Sequence, residues 1–177
     1  KETDPNVLVV GGDEGFIPMS GYDLVAGRNF TSEEVRGNAP LVILGGDVVS
    51  KLFSPSENPL DKDIRIRNRR YRIVGVLDQQ GASFGMSQDN QAILPVGEIQ
   101  ARYSGSRTSY SVQIKSNDPE GIGALSEVVI GEMRAIRGDL PGMADSFRIS
   151  RSDALIAQFN DSISSVTLAA LFLGLIT

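Results

Sequence analysis

Histidine, cysteine and tryptophan are absent from the 177 residues, and aromatic residues make up only 6% of them. Without His or Cys the chain cannot build the usual zinc site, a thiolate nucleophile, or a triad or dyad that relies on imidazole. Basic charge is also in deficit: 17 Lys and Arg stand against 22 Asp and Glu, a net charge of −5. That balance argues against a protein that lives on nucleic-acid phosphates, because such binding is driven by Lys and Arg releasing counterions. The lack of cysteine excludes a disulfide scaffold and leaves the compartment open. What is present, 41% hydrophobic residues over this length, suits one domain or two small ones.

The two ends are informative. Lys1-Glu2-Thr3-Asp4-Pro5 carries neither an initiator Met nor a signal sequence, which reads as a start inside a longer polypeptide. After Asp161 no charge appears, and Val166 to Ile176 is apolar on every side. A spanning helix needs about 20 such residues, and the run is still apolar at its last position. A buried C-terminal helix of a soluble domain is the alternative, although such a helix usually keeps a polar face. From Ser152 a long helix is predicted to run into this stretch, with Phe159, Ile163, Val166, Ala170 and Leu173 at the spacing of a packing seam.

Between the ends, Val7 to Val10 reads as a short strand closed by Gly11-Gly12. Thr31-Ser32-Glu33-Glu34 has the form of a capping box and predicts a short helix. Leu41 to Leu44 reads as a buried strand, followed after Gly45-Gly46 by a helix over Asp47 to Phe53 with Asp47 as its cap. Ile64 and Ile66 alternate with Arg65 and Arg67, and Tyr71 to Leu77 returns as a second strand. This hairpin is expected to place the positive φ of its turn on Asn68. Ala92 to Pro95 is a further strand. Tyr110 to Lys115 alternates as a strand, and Asn117-Asp118-Pro119 opens a helix whose stripe is Ile122, Leu125, Val129, Met133 and Ile136. With Ser146 to Ser150 as a closing strand, that segment predicts a split β-α-β unit within an α+β fold.

Several motifs resemble chemical sites. Gly81-Ala82-Ser83-Phe84-Gly85 fits the nucleophile-elbow pattern, yet Ser83 has no histidine to act as its base, so a loop is expected. Gly11-Gly12 and Gly45-Gly46 follow strands as phosphate loops do, but neither completes a dinucleotide or P-loop pattern, and Asp47 puts a carboxylate where an anion would sit. Asp61-Lys62-Asp63 opens like a calcium loop, then offers Arg65 at the next ligand position. No catalytic residue, cofactor or metal is therefore expected. Arg65, Arg67, Arg69, Arg70 and Arg72 form a basic cluster that alternation explains as the wet face and turn of a hairpin; an interaction role for it would involve a partner protein more readily than nucleic acid.

The order of several short elements is more specific than any one of them. Ala26-Gly27-Arg28-Asn29-Phe30, Val42-Ile43-Leu44-Gly45 with Val48, Leu52 and Phe53, Asn58-Pro59-Leu60-Asp61-Lys62, and Tyr71 to Leu77 follow one another. The succession resembles the periplasmic core domain of MacB-type ABC transporter permeases over about residues 7 to 160, and the last stretch resembles entry into that family's FtsX-like membrane region. Asp61 stands where the family usually has Gly, and Asn68 where Gly is common, both tolerable in turns.

The resemblance implies an extracytoplasmic domain of the bacterial cytoplasmic membrane, built from a porter-like part of β-α-β units and an inserted, β-rich Sabre-like subdomain. Carried over, residues 1–14 and 110–151 belong to the porter-like part, 15–109 to the insertion, and 152–177 to a stalk helix and the start of a transmembrane helix. It also implies partners: an ABC ATPase subunit or domain, a second permease in a homodimer or heterodimer, often a periplasmic adaptor, and the membrane itself. The implied role is mechanical: ATP-driven movement transmitted outward to extrude a substrate. The alternatives within the resemblance are an FtsX-like regulatory module controlling a cell-wall hydrolase and a lipoprotein-releasing permease.

Overall fold

A computed structural model describes residues 7–79, 82, 83, 86, 87, 89–103, 105, 108–118 and 121–151. The predicted C-terminal helix, with Phe159, Ile163, Val166, Ala170 and Leu173, lies outside the described residues. The chain separates into two compact units, Lys1–Lys115 and Ser116–Thr177.

The first unit runs β1 (Leu8–Gly12), α1 (Phe16–Met19), β2 (Leu24–Gly27), α2 (Ser32–Arg36), β3 (Leu41–Leu44), α3 (Gly46–Leu52), β4 (Asp63–Ile66) and β5 (Arg69–Leu77). The short pair β6 (Ala82–Ser83) and β7 (Met86–Ser87) comes next, then β8 (Gln91–Pro95) and α4 (Val96–Tyr103). Six strands form one mixed sheet in the order β1-β8-β3-β5-β2, with β4 also on β5. β1 lies parallel to β8 and β3 parallel to β5, while β3–β8, β2–β5 and β4–β5 are antiparallel. β5 is long enough for β4 to pair with Arg69–Arg72 and β2 with Gly75–Leu77, both on the edge opposite β3.

Alternation along the strands divides the core between the two faces of this sheet. Val42, Leu44, Tyr71, Ile73, Ala92 and Leu94 pack on one side with Val48 of α3, and Ile99 and Tyr103 of α4 lie against them. Ile43, Val74, Leu77 and Ile93 pack on the other with Ile17, Phe30 and Val35. Each large side chain so buried contributes roughly 1.5–3 kcal/mol, which makes the β3-β5-β8 centre the main source of stability. Close approach of backbones sets one further requirement. Gly27 has φ +80°, and a Cβ there would stand 2.2 Å from the carbonyl oxygen of Val74. Only glycine lets β2 meet β5 at that point.

Local signals account for most element ends. Thr31 Oγ1 accepts from the Glu34 amide and Glu34 reaches back to the Thr31 amide, so the capping box forms as predicted. Helix α3 is capped by Gly45, not by Asp47, which instead places its charge in the first turn. Gly11 and Gly12 continue β1 and do not close it. The hairpin turn puts its positive φ on Arg67 (50°), not on Asn68, and Asp61 adopts φ 63°, the left-handed conformation that suits the family's usual glycine.

The segment from residue 110 onward, which starts in the first unit and continues in the second, departs from the predicted β-α-β. Helix α5 (Ile122–Arg137) forms after Gly121 and ends at Gly138 with φ 71°. Ile122, Leu125, Val129 and Met133 are half-buried, whereas Ile136 is exposed. Residues 110–115 and 146–150 are not strands; Tyr110, Val112 and Ile114 are exposed. Alternation gives strand propensity, but a strand exists only with a neighbour for its backbone groups, and none among the described residues supplies one. Beyond α5, Arg134 donates to the Leu140 and Met143 carbonyls and pairs with Asp145, while Ser146 donates to Asp139. These bonds tie the helix end to the loop that follows.

Candidate functional site

The glycine-rich motifs are occupied by packing. In β1, a Cβ on Gly12 would meet the Phe16 ring at 2.9 Å and one on Gly11 would meet Ile99 at 3.1 Å, so both glycines serve close helix–strand contact. The Gly45 amide donates to the Gln91 carbonyl at 2.8 Å and the Asp47 amide to the Asp89 carbonyl at 3.2 Å. These donors are therefore spent on backbone and cannot cradle a phosphate. Ser83 belongs to the β6–β7 pair; Gly81, Phe84 and Gly85 of its motif lie outside the described residues. Among the described residues no cluster of three or more acidic side chains is placed to hold a metal ion. Asp61 and Lys62 are integrated into the sheet margin, where the Asp61 amide donates to Ile73 and Lys62 accepts from Ile73.

The motif Gly27-Arg28-Asn29-Phe30 is likewise structural. The Arg28 guanidinium forks onto Glu34, Nη2 to Oε1 at 2.7 Å and Nη1 to Oε2 at 2.8 Å. Asn29 Nδ2 donates to the Glu14 carbonyl at 2.7 Å, and the Phe30 ring is buried in the core. The Arg28 hydrogen bonds, aided by the Thr31 amide, hold the Glu34 carboxyl down at about 2.

The most unusual side-chain arrangement sits where α4 meets the β4–β5 hairpin. Glu98, on the first turn of α4, is only 1% exposed. Its Oε1 accepts from the Tyr71 hydroxyl at 3.0 Å and forms ion pairs with Arg102 Nε at 2.8 Å and Arg69 Nε at 3.0 Å. Tyr71 and Tyr103 hydroxyls lie 2.9 Å apart, and the Arg67 guanidinium sits 5.2 Å over the Tyr103 ring. Burial, then the bonds to Tyr103 and Glu98, push the Tyr71 hydroxyl strongly upward, so it stays protonated as a donor. A buried carboxylate is tolerated only when paired and hydrogen-bonded, and here the partners of Glu98 among the described residues belong to the hairpin or to α4 itself. The result is a polar lock between a helix and a hairpin.

Sequence reasoning found Arg67, Arg69 and Tyr71 as hairpin residues but missed α4 and with it Glu98, Arg102 and Tyr103. Two signals were available: the i,i+4 pair Glu98/Arg102, and Val96, Ile99 and Tyr103 at helical spacing. On the outer side of the hairpin, Asp63, Arg65, Arg70 and Arg72 are exposed. Arg65 and Arg70 are directly opposed across the two strands.

The sequence profile of the MacB-like periplasmic core domain matches residues 1–132. The chain is 26% identical over 148 residues to the macrolide export ATP-binding/permease protein MacB of Rhodospirillum rubrum, covering 83% of this chain and 22% of that protein. It is 27% identical over 127 residues to the pyoverdine export ATP-binding/permease protein PvdT of Pseudomonas savastanoi pv. phaseolicola, covering 71% of this chain and 19% of the relative. It thus spans about a fifth of the length of these relatives. The fold matches the crystal structure of the periplasmic region of MacB from Actinobacillus actinomycetemcomitans, with a TM-score of 0.63 at 20% identity over 86% of this chain and 64% of that one. It also matches the extracellular domain of the Gram-positive transporter YknZ, with a TM-score of 0.59 at 18% identity over 73% of this chain and 64% of that one. The ordered elements read from the sequence, the mixed sheet and the profile match converge: the chain belongs to the family of MacB-like periplasmic core domains.

Proposed function

We propose that the chain is the extracytoplasmic domain of an ABC exporter permease in the bacterial cytoplasmic membrane, and that it couples ATP hydrolysis on the other side of that membrane to extrusion of a substrate by transmitting movement. The observation that carries this reading is the family match over residues 1–132. The geometry supports it, because the glycine and carboxylate motifs that could hold chemistry are filled by packing or hydrogen bonds. In this reading ATP is hydrolysed by an ABC ATPase subunit or fused domain, the permease works as a homodimer or heterodimer, and a periplasmic adaptor is a further partner. The relatives named above are exporters, so a regulatory module for a cell-wall hydrolase is not favoured.

The division of labour is proposed in the same terms. Residues 1–14 and 110–151 form a porter-like part, 15–109 the insertion, and 152–177 a stalk helix that enters the membrane. β1 hydrogen-bonds to β8, so the first segment reaches into the sheet of the insertion. Among the described residues no helix is long and apolar enough to cross a membrane. The proposed membrane contact rests instead on the uncharged run after Asp161. A topology reporter inserted at Gly105 of the full-length protein tests the placement: a reporter active only outside the cytoplasm should work there, and activity of a cytoplasm-only reporter would overturn it.

A further inference from the structure

The outer face of the β4–β5 hairpin carries charge that the fold does not use. Asp63 pairs in register with Arg72 and Arg65 with Arg70, and all four side chains are exposed. Residues directly opposite on one face of an antiparallel pair hold their Cβ atoms about 5 Å apart, and like charges so placed repel. The opposed arginines therefore work against the hairpin that presents them. Among the described residues, Arg65, Arg70 and Arg72 enter no ion pair, whereas Arg69 on the inner face is paired with Glu98. They also stand against a chain whose net charge is −5.

The platform beneath them is fixed. Tyr71 is fully buried, and it is bonded to Glu98 and Tyr103; Arg67 at the tip lies over the Tyr103 ring. The outward guanidinium groups thus project from a hairpin locked to α4, with only their own side chains left to order on binding.

We propose that this face docks an extended acidic segment of a partner protein, whose carboxylates take the places that no side chain among the described residues fills. Guanidinium forks match carboxylates in paired hydrogen bonds. Phosphate would satisfy the same forks, but three observations favour protein. Asp63 sits inside the basic grid and repels a uniform polyanion, while a protein segment can set one basic residue against it. The outward face carries no aromatic or apolar side chain; the tyrosine of the hairpin, Tyr71, points into the core, so nothing there stacks on bases or enters a lipid interface. And β4 pairs only with β5 among the described residues, which leaves an edge where an extended segment can add as a strand.

The test uses the full-length permease in nanodiscs and a fluorescent peptide of alternating Glu and Thr, with phosphatidylglycerol vesicles and a DNA duplex as rival ligands. The peptide should bind best, more weakly as salt rises, and Arg65→Gln/Arg70→Gln should weaken it at least about tenfold. The same double variant should melt at or above the parental temperature, because it removes a repulsive pair. Unchanged peptide affinity in the variant, or tighter binding of vesicles or duplex than of peptide, would overturn the inference. So would a lowered melting temperature, which would mean that the arginines serve the fold. The assay reads no export, so its failure leaves the exporter reading untouched, and failure of export coupling leaves this surface untouched.

Discussion

At the scale of single residues, Glu34 shows how one side chain serves several ends. It closes the capping box of α2, receives both arms of Arg28, and so fixes the chain between β2 and α2. Its carboxyl sits at about 2 in the folded chain against an ordinary value of 4.5, and the Arg28 hydrogen bond is the first cause. A depressed folded value means that the contribution is complete above the unfolded pKa and disappears as pH falls toward the folded one. Arg28 is half exposed, so solvent screening holds the contribution to about 1 kcal/mol. Urea unfolding followed by circular dichroism should therefore show Glu34→Gln less stable than the parent near neutrality, with the gap closing between about pH 5 and pH 2. A gap that stays constant across that range would mean that the charge of Glu34 is irrelevant and only its cap geometry matters.

At the scale of elements, the Glu98 lock joins α4 to the β4–β5 hairpin through the hydrogen bond from Tyr71 and the ion pair with Arg69, with Arg102 of α4 paired to the same oxygen. Removing the charge leaves the two arginines without their counter-ion, while the amide oxygen of Gln can still accept from Tyr71. Both arginines are partly solvated, so the expected cost of Glu98→Gln is about 1–3 kcal/mol, with about 1 kcal/mol for Tyr71→Phe. Because the two share a hydrogen bond, the double variant should lose less than the sum of the singles; additive losses in urea unfolding would show that helix and hairpin are held independently. Elements of this kind were unevenly legible. Leu41–Leu44, Tyr71–Leu77 and Ala92–Pro95 could be read because unbroken apolar runs belong to strands covered on both faces. The capping box at Thr31 was legible because its geometry is entirely local. Helix α4 was hidden by Pro95, which reads as an end, and by Gly97, a poor helix former. The alternation of 110–115 and 146–150 was read correctly as pattern and wrongly as structure, because pairing is a property of two segments and a sequence pattern describes only one. The cap at Gly45 and the turn conformation of Arg67 were missed for a related reason: backbone approach to Asp89 and the path of the hairpin decided them, not side-chain preference.

At the scale of the molecule, the first unit, a sheet with helices on both faces and a hairpin locked to α4, makes a body suited to moving as a unit. The family resemblance was legible in the sequence because Gly27, Arg28 and Phe30 each meet a steric or bonding demand of this fold, and such demands fix their spacing. Mechanical coupling is the central proposal, and it turns on the helix predicted from the sequence to begin at Ser152, which in that proposal passes movement between the membrane and the domain. Proline at position 158 would remove one backbone donor and clash with the preceding turn, costing about 3 kcal/mol or more of helix continuity, while the β3-β5-β8 core lies upstream and is untouched. The most direct measurement is parallel ATP hydrolysis and export by the full-length Gln158→Pro permease, assembled with its ATPase in reconstituted membranes. Coupling through the helix predicts hydrolysis at the parental rate with export lost; export at the parental rate would show that the helix is a passive tether and would contradict the mechanical account.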